Sequence, residues 1–179
     1  ENHRENSPAP TFPRTPVSCS GLMIEPWSKV SSSPLGDFRI FKIRSDLKRS
    51  PRTGQTHDFF VIESVNWVNV IALTPNLDLV MVEQFRHGTN TVEVEIPGGM
   101  IDAEDGSAAN AGVRELREET GYEGKNPLII GEVYPNPAIM SNVCFTVFVE
   151  DCQLHHTTAF EHSENLITRL VPVGQIPDL

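Results

Sequence analysis

At 179 residues with 39% hydrophobic content, the chain is long enough for one sizeable core, and nothing in its length argues for two. Lys and Arg total 14 against 24 Asp and Glu, and the resulting net charge of −10 argues against a nucleic-acid partner held by its phosphate backbone. A small polyanion stays within reach when a divalent cation sits between its phosphates and the carboxylates of the protein. The three cysteines, Cys19, Cys144 and Cys152, are odd in number and lack CxxC spacing, so a reducing, cytoplasmic setting is expected rather than a disulfide framework or a zinc site. No apolar run approaches the roughly 20 residues of a membrane span, and no membrane partner is expected.

In chain order, residues 1–34 are rich in Pro, Ser and Thr and poor in large apolar side chains, a composition that cannot offset the entropy of ordering. Residues 1–25 are expected to form a flexible arm. Short β-prone runs at 38–43 and 59–63 flank Ser50-Pro51-Arg52-Thr53-Gly54 and predict a long hairpin. Residues 67–73 and 77–84, dominated by Val, Leu, Ile and Met around Thr74-Pro75-Asn76, predict core strands of one sheet. Residues 91–96 alternate polar and apolar side chains, the period of a half-buried strand, and run into Pro97-Gly98-Gly99, which predicts a glycine loop. Residues 108–119 predict a helix, with Ser107 or Asp105 available as N-cap and Gly121 as the C′ residue. Runs at 128–133, 143–149 and 166–171 predict further strands.

The segment that carries chemistry is Arg114-Glu115-Leu116-Arg117-Glu118-Glu119-Thr120-Gly121-Tyr122. Glu115 and Glu119 are four residues apart and Glu118 three from Glu115, so the three carboxylates leave neighbouring points of one helix face. Like charges at that spacing destabilise a bare helix by roughly 0.2–0.5 kcal/mol per pair, and a cation must compensate wherever the face is shielded from water. The ordinary use of such a sequence is a solvated acidic face, salt-bridged by Arg114 and Arg117. The glycine turn in front of the helix favours a hard divalent metal instead, because its carbonyls offer a further oxygen ligand.

These residues resemble the Nudix box, in which Gly, five residues, Glu and seven residues precede Arg-Glu-(apolar)-x-Glu-Glu-x-Gly-(apolar). The second half matches at every fixed position. In the first half, five residues after Gly99 comes Asp105 where the pattern has Glu, and eight residues instead of seven separate it from Arg114, an insertion near Gly106. The resemblance implies an α/β fold, a Nudix α/β/α sandwich with a mixed β-sheet preceded by N-terminal antiparallel β-strands. It also implies Mg²⁺, with Mn²⁺ as a substitute, held by Glu115, Glu118, Glu119 and the Gly98 carbonyl, with Arg114 orienting the carboxylates. The implied reaction is hydrolysis of a phosphoanhydride.

From Trp27 onward the chain is similar to ADP-ribose and nucleoside diphosphate sugar pyrophosphatases, on the strength of Asn66–Leu73, Glu83–Gly88, Tyr134-Pro135-Asn136-Pro137 and Ser163-Glu164-Asn165-Leu166. Pro137, sixteen residues past Gly121, is close to the proline spacing of ADP-ribose cleavage. The resemblance implies a small-molecule nucleoside diphosphate derivative as substrate and a homodimer built through residues 26–65, with residues 66–179 as the Nudix domain. Trp67 is either ordinary core or a ring that stacks on the base, Arg86 suits a phosphate contact, and His87 is structural. For the general base, Glu164, Glu161, Glu118 and water activated by the metal remain open, with His162 a weaker candidate. The alternatives are a Nudix hydrolase of a triphosphate or dinucleotide, and a Nudix-fold module that binds a nucleotide without cutting it. Relatives continue past the position of Leu179 into a helix on the sheet, so the arm or a partner subunit is expected to cover that face.

Overall fold

The computed structural model describes residues 23–160 and 165–178. Most of the predicted arm, together with Glu161, His162 and Glu164, lies outside the described residues.

Three sheets carry the chain. The first is antiparallel, in the order β1 (Ser28–Asp37), β2 (Phe41–Arg49), β3 (Thr56–Ser64). The predicted hairpin is β2–β3, in register from Phe41↔Ser64 to Arg49↔Thr56. β1 overlaps the stretch whose composition disfavours order but lies past the arm, within the 26–65 segment where N-terminal antiparallel strands are expected, and it is a strand although nearly all its side chains are exposed. Its order comes from its neighbour. β1 pairs along β2, and Ser32 donates its hydroxyl at 2.6 Å to Asp46, a buried carboxylate that Arg44 also contacts at 3.1 Å.

The second sheet is mixed. β4 (Trp67–Ala72) lies parallel to β9 (Cys144–Leu154), which pairs antiparallel with β8 (Tyr122–Val133); on its other edge β4 takes β7 (Gly98–Met100). The third sheet is antiparallel, with β5 (Asp78–Arg86) between β10 (Leu166–Pro172) and β6 (Thr91–Glu95). β4 and β5 therefore belong to different sheets, against the expectation of one. Between them Thr74 closes a turn: its carbonyl accepts from Leu77 N–H at 2.9 Å and its hydroxyl from Asp78 N–H at 3.1 Å, with Leu77 at φ 61°. Ladder pairing beyond the turn is limited to a Leu73↔Leu79 bridge, and each strand fills both of its edges elsewhere.

The helix α1 (Ala108–Thr120) is capped by Ser107, whose hydroxyl accepts from Asn110 N–H at 3.1 Å, and closed by Gly121, whose N–H reaches Arg117 O at 2.9 Å. Ala111 and Leu116 bury its inner face against Val68, Val70 and Ala72 of β4 and Val147 and Val149 of β9. Burying Leu116 alone contributes about 1.5–3 kcal/mol. The alternation along β4 turns Val68, Val70 and Ala72 inward and leaves Trp67 and Asn69 on the other face, beside β7. The α/β architecture with a mixed sheet and added N-terminal antiparallel strands is as expected; among the described residues, α1 is its α-helix.

Candidate active site

The glycine pair expected as a loop is the strand β7, laid against β4 with Val68 opposite Gly99 and Asn69 opposite Gly98. Pairing brings its backbone under the acidic face of α1. Gly98 donates its N–H to Glu119 Oε2 at 3.0 Å, and Glu119 is only 5% exposed. A Cβ on Gly99 would overlap the Glu115 carboxylate, so the absence of a side chain there is what lets the acid lie flat on the strand. Two of the three predicted carboxylates thus meet one glycine pair.

Glu118, the third, turns to Arg114, whose Nη1 donates to Glu118 Oε2 at 2.9 Å and lies 3.1 Å from Glu115 Oε1. The other edge of the guanidinium is fixed: Nε and Nη2 donate to the two oxygens of Asp105 at 2.8 and 3.0 Å, and Nη2 also to Met100 O at 3.0 Å. Asp105 in turn accepts from Asp102 N–H at 2.8 Å. The Arg114 guanidinium holds the Asp105 carboxyl below the usual carboxylate range, and Asp105, followed by Glu115 and Glu118, raises the arginine further still. Among the described residues no three His, Cys, Asp or Glu side chains stand close enough to hold a metal ion as they are. The chemistry of the set nonetheless suits one, since Glu115, Glu118 and Glu119 offer oxygen donors only, the preference of hard divalent cations.

Trp67, Arg86 and Gly98, three residues singled out in the sequence, line one cleft of about 340 Å³ together with Asn69, Gly99 and Met100. Arg86 is held in place by Glu95, which accepts from Nε at 2.8 Å and Nη2 at 2.6 Å. Pro137 is elsewhere, on a separate cleft of about 560 Å³ beside Trp27, Arg44 and Phe59 of the N-terminal sheet. His87 packs its ring edge-on to Phe85 at 5.2 Å.

Residues 64–179 match the family model described as the NUDIX domain. The chain belongs to the NUDIX family. It is 39% identical over 85 residues to a methanol dehydrogenase activator of Bacillus methanolicus, covering 48% of this chain and 45% of that one. It is 31% identical over 91 residues to an ADP-ribose pyrophosphatase of Bacillus subtilis, covering 51% and 49%. An ADP-ribose pyrophosphatase of Saccharomyces cerevisiae is 31% identical over 106 residues, covering 56% and 46%. The chain thus spans about half the length of these curated relatives. A crystal structure of an ADP compounds hydrolase superposes with a TM-score of 0.76 over 88% of this chain and 84% of that one at 18% identity, which shows the fold alone.

Within the Nudix box the irregular first half is accounted for by geometry. Asp105 closes a short 3-10 turn (Ala103–Asp105), and Gly106, at φ 69°, reverses the backbone so that Ser107 can cap α1. A shorter acid and an extra residue thus occur together where Asp105 grips Arg114 along one edge. Sequence reasoning left the role of Asp105 open and missed Glu95 altogether. The only signal for Glu95 is an acid at the end of one strand and an arginine at the end of its neighbour, and which of them meet depends on a register the sequence does not print.

Proposed function

We propose that the chain hydrolyses the diphosphate linkage of ADP-ribose or a nucleoside diphosphate sugar to two monophosphates, using Mg²⁺ or, in its place, Mn²⁺. The observation that carries this reading is the placement of Glu115 and Glu119 together on the Gly98-Gly99 strand, beside a cleft that holds an aromatic ring and an arginine. Glu115, Glu118, Glu119 and the Gly98 carbonyl would hold the metal, which when bound neutralises charge on the diphosphate oxygens. Arg114 orients Glu115 and Glu118 from its anchor on Asp105. Arg86, steadied by Glu95, binds a phosphate, and Trp67 offers its ring to the base. Glu118 already accepts from Arg114, which favours Glu164 as the carboxylate that takes the proton from the attacking water. The identity between this chain and two ADP-ribose pyrophosphatases supports the substrate class, and the presence of Glu115, Glu118 and Glu119 weighs against a module that only binds.

A homodimer through the N-terminal sheet belongs to the same proposal. Val30, Leu35, Phe38, Ile40 and Phe60 are exposed on it, and it is joined to the Nudix domain through β3, where Ile62 N–H reaches Ile139 O at 2.7 Å and Ser141 N–H reaches Ile62 O at 3.2 Å. Apolar surface of that kind suits a second copy. Cys144 and Cys152 are buried thiols outside any disulfide, which supports a reducing cytoplasmic setting. No helix among the described residues is long and apolar enough to cross a membrane.

The test is a hydrolysis panel with Mg²⁺: ADP-ribose, several nucleotide sugars, a dinucleotide and nucleoside triphosphates, with products identified. Preferential release of a nucleoside monophosphate and a sugar phosphate supports the reading. Preferential cleavage of triphosphates would contradict it, and a solution mass of one chain would contradict the dimer.

A further inference from the structure

A second cleft, sharing no residue with the one that holds Trp67 and Arg86, reaches the carboxylates at Glu118. Gly98 and Gly99 of the first cleft meet Glu119 and Glu115, while Glu118, about 60° around the helix from Glu115 and about 100° from Glu119, lines the second. This second cleft, about 410 Å³, is lined by Arg117, Glu118, His155, His156, Thr157 and Ala159.

Its walls are held by the end of α1. His155 and His156 both donate their backbone N–H to Gly121 O, at 3.1 and 3.0 Å, and Ala159 donates its N–H to Glu118 O at 2.8 Å. His156 Nε2 lies 2.7 Å from Glu123 Oε2, which ties the ring to the start of β8. The carboxylate in its lining, Glu118, already accepts from Arg114. What the cleft offers a ligand is the Arg117 guanidinium, the His155 imidazole, the remaining ring nitrogen of His156 and the Thr157 hydroxyl, groups that suit sugar hydroxyls and phosphate oxygens. The first cleft, by contrast, presents an indole and the thioether of Met100 beside its arginine. The two differ as the two halves of a nucleoside diphosphate sugar differ, and the box carboxylates meet both.

We propose that the second cleft receives the sugar phosphate half of the substrate, with Arg117 and the His155–His156 pair as its recognition groups. This rests on the hydrolase reading above and sharpens it, since the cleft favours a sugar phosphate over a second nucleoside on the far side of the diphosphate.

The experiment uses the whole chain without metal and ribose 5-phosphate as the probe. The imidazole C–H signals of His155 and His156, assigned with His155→Gln and His156→Gln, are followed by NMR during titration, and Arg117→Ala is assayed on ADP-ribose in parallel. The expected result is a saturable shift of both signals that weakens in Arg117→Ala, with a KM for ADP-ribose raised roughly tenfold by the loss of a charge-assisted contact and kcat little changed. Unmoved signals, or inorganic phosphate binding as tightly as ribose 5-phosphate, would overturn the proposal. If the parent protein hydrolyses nothing while ribose 5-phosphate still shifts both signals, the cleft stands and the hydrolase reading falls.

Discussion

Asp105 grips Arg114 along one edge of its guanidinium, at 2.8 Å to Nε and 3.0 Å to Nη2, and so leaves Nη1 as the edge that meets Glu115 and Glu118. The carboxylate is only 6% exposed. Asp105→Ala removes hydrogen bonds to a charged partner and is expected to cost about 2–3 kcal/mol, read from denaturant midpoints. A matching in length of the acid to the turn at Gly106 predicts that Asp105→Glu alone also destabilises and that deleting Gly106 from that variant restores part of the loss. Independent, additive effects of the two changes would contradict the matching.

The same pair sets a pH dependence. Arg114 lowers the folded-state pKa of Asp105, so its contribution is complete above the unfolded-chain value, about 3.9, and is lost as pH falls from there through the folded value. Asp46, lowered first by the Ser32 hydroxyl and then by Arg44, adds to the same acid limb. Asp105→Asn should therefore flatten the fall in stability below about pH 4 in part. Parallel acid limbs in parent and variant would count against the pairing.

Gly99→Ala separates folding from chemistry. The added methyl meets the end of a flexible side chain, which can swing aside, so stability should change by no more than about 1 kcal/mol. The Glu115 carboxylate, however, loses its seat on β7. Hydrolysis should fall by roughly tenfold or more, with a higher Mg²⁺ requirement; an unchanged metal requirement in this variant would remove Glu115 from the metal site.

Arg86→Lys keeps the charge and gives up the two-pronged contact with Glu95. A wandering cation binds phosphate less well, and KM for ADP-ribose should rise roughly tenfold with a smaller change in kcat. An equal fall in kcat with KM unchanged would place Arg86 in the chemical step instead.

How much of this is legible in the sequence depends on the range of the interaction. The Ser107 cap, the Gly121 stop and the shared helix face of Glu115, Glu118 and Glu119 are set within a few residues along one helix, and the one-letter pattern carries them; the meeting of Glu119 and Glu115 with Gly98 and Gly99 is not local and comes from the pairing of β7 with β4. β1 is invisible in its own composition because its order is borrowed from β2, where Ser32 finds a buried acid fourteen residues on. The division of β4 from β5 lies in their long-range partners, β7 and β9 for one and β6 and β10 for the other, where two apolar runs around a turn read equally well as one sheet. Pro137 was grouped with Trp67 and Arg86 by resemblance, while in space it lines a different cleft, against Trp27 and Phe59.

Hydrolysis of ADP-ribose with Mg²⁺, compared between the parent chain and Glu119→Gln, tests the central claim most directly. Glutamine keeps an acceptor for Gly98 N–H and removes the charge a metal needs, so the fold is retained while the donor set is broken. The account predicts AMP and ribose 5-phosphate from the parent and a rate lower by on the order of 100-fold or more in the variant, at equal thermal stability. A variant that cleaves ADP-ribose as fast as the parent would contradict it.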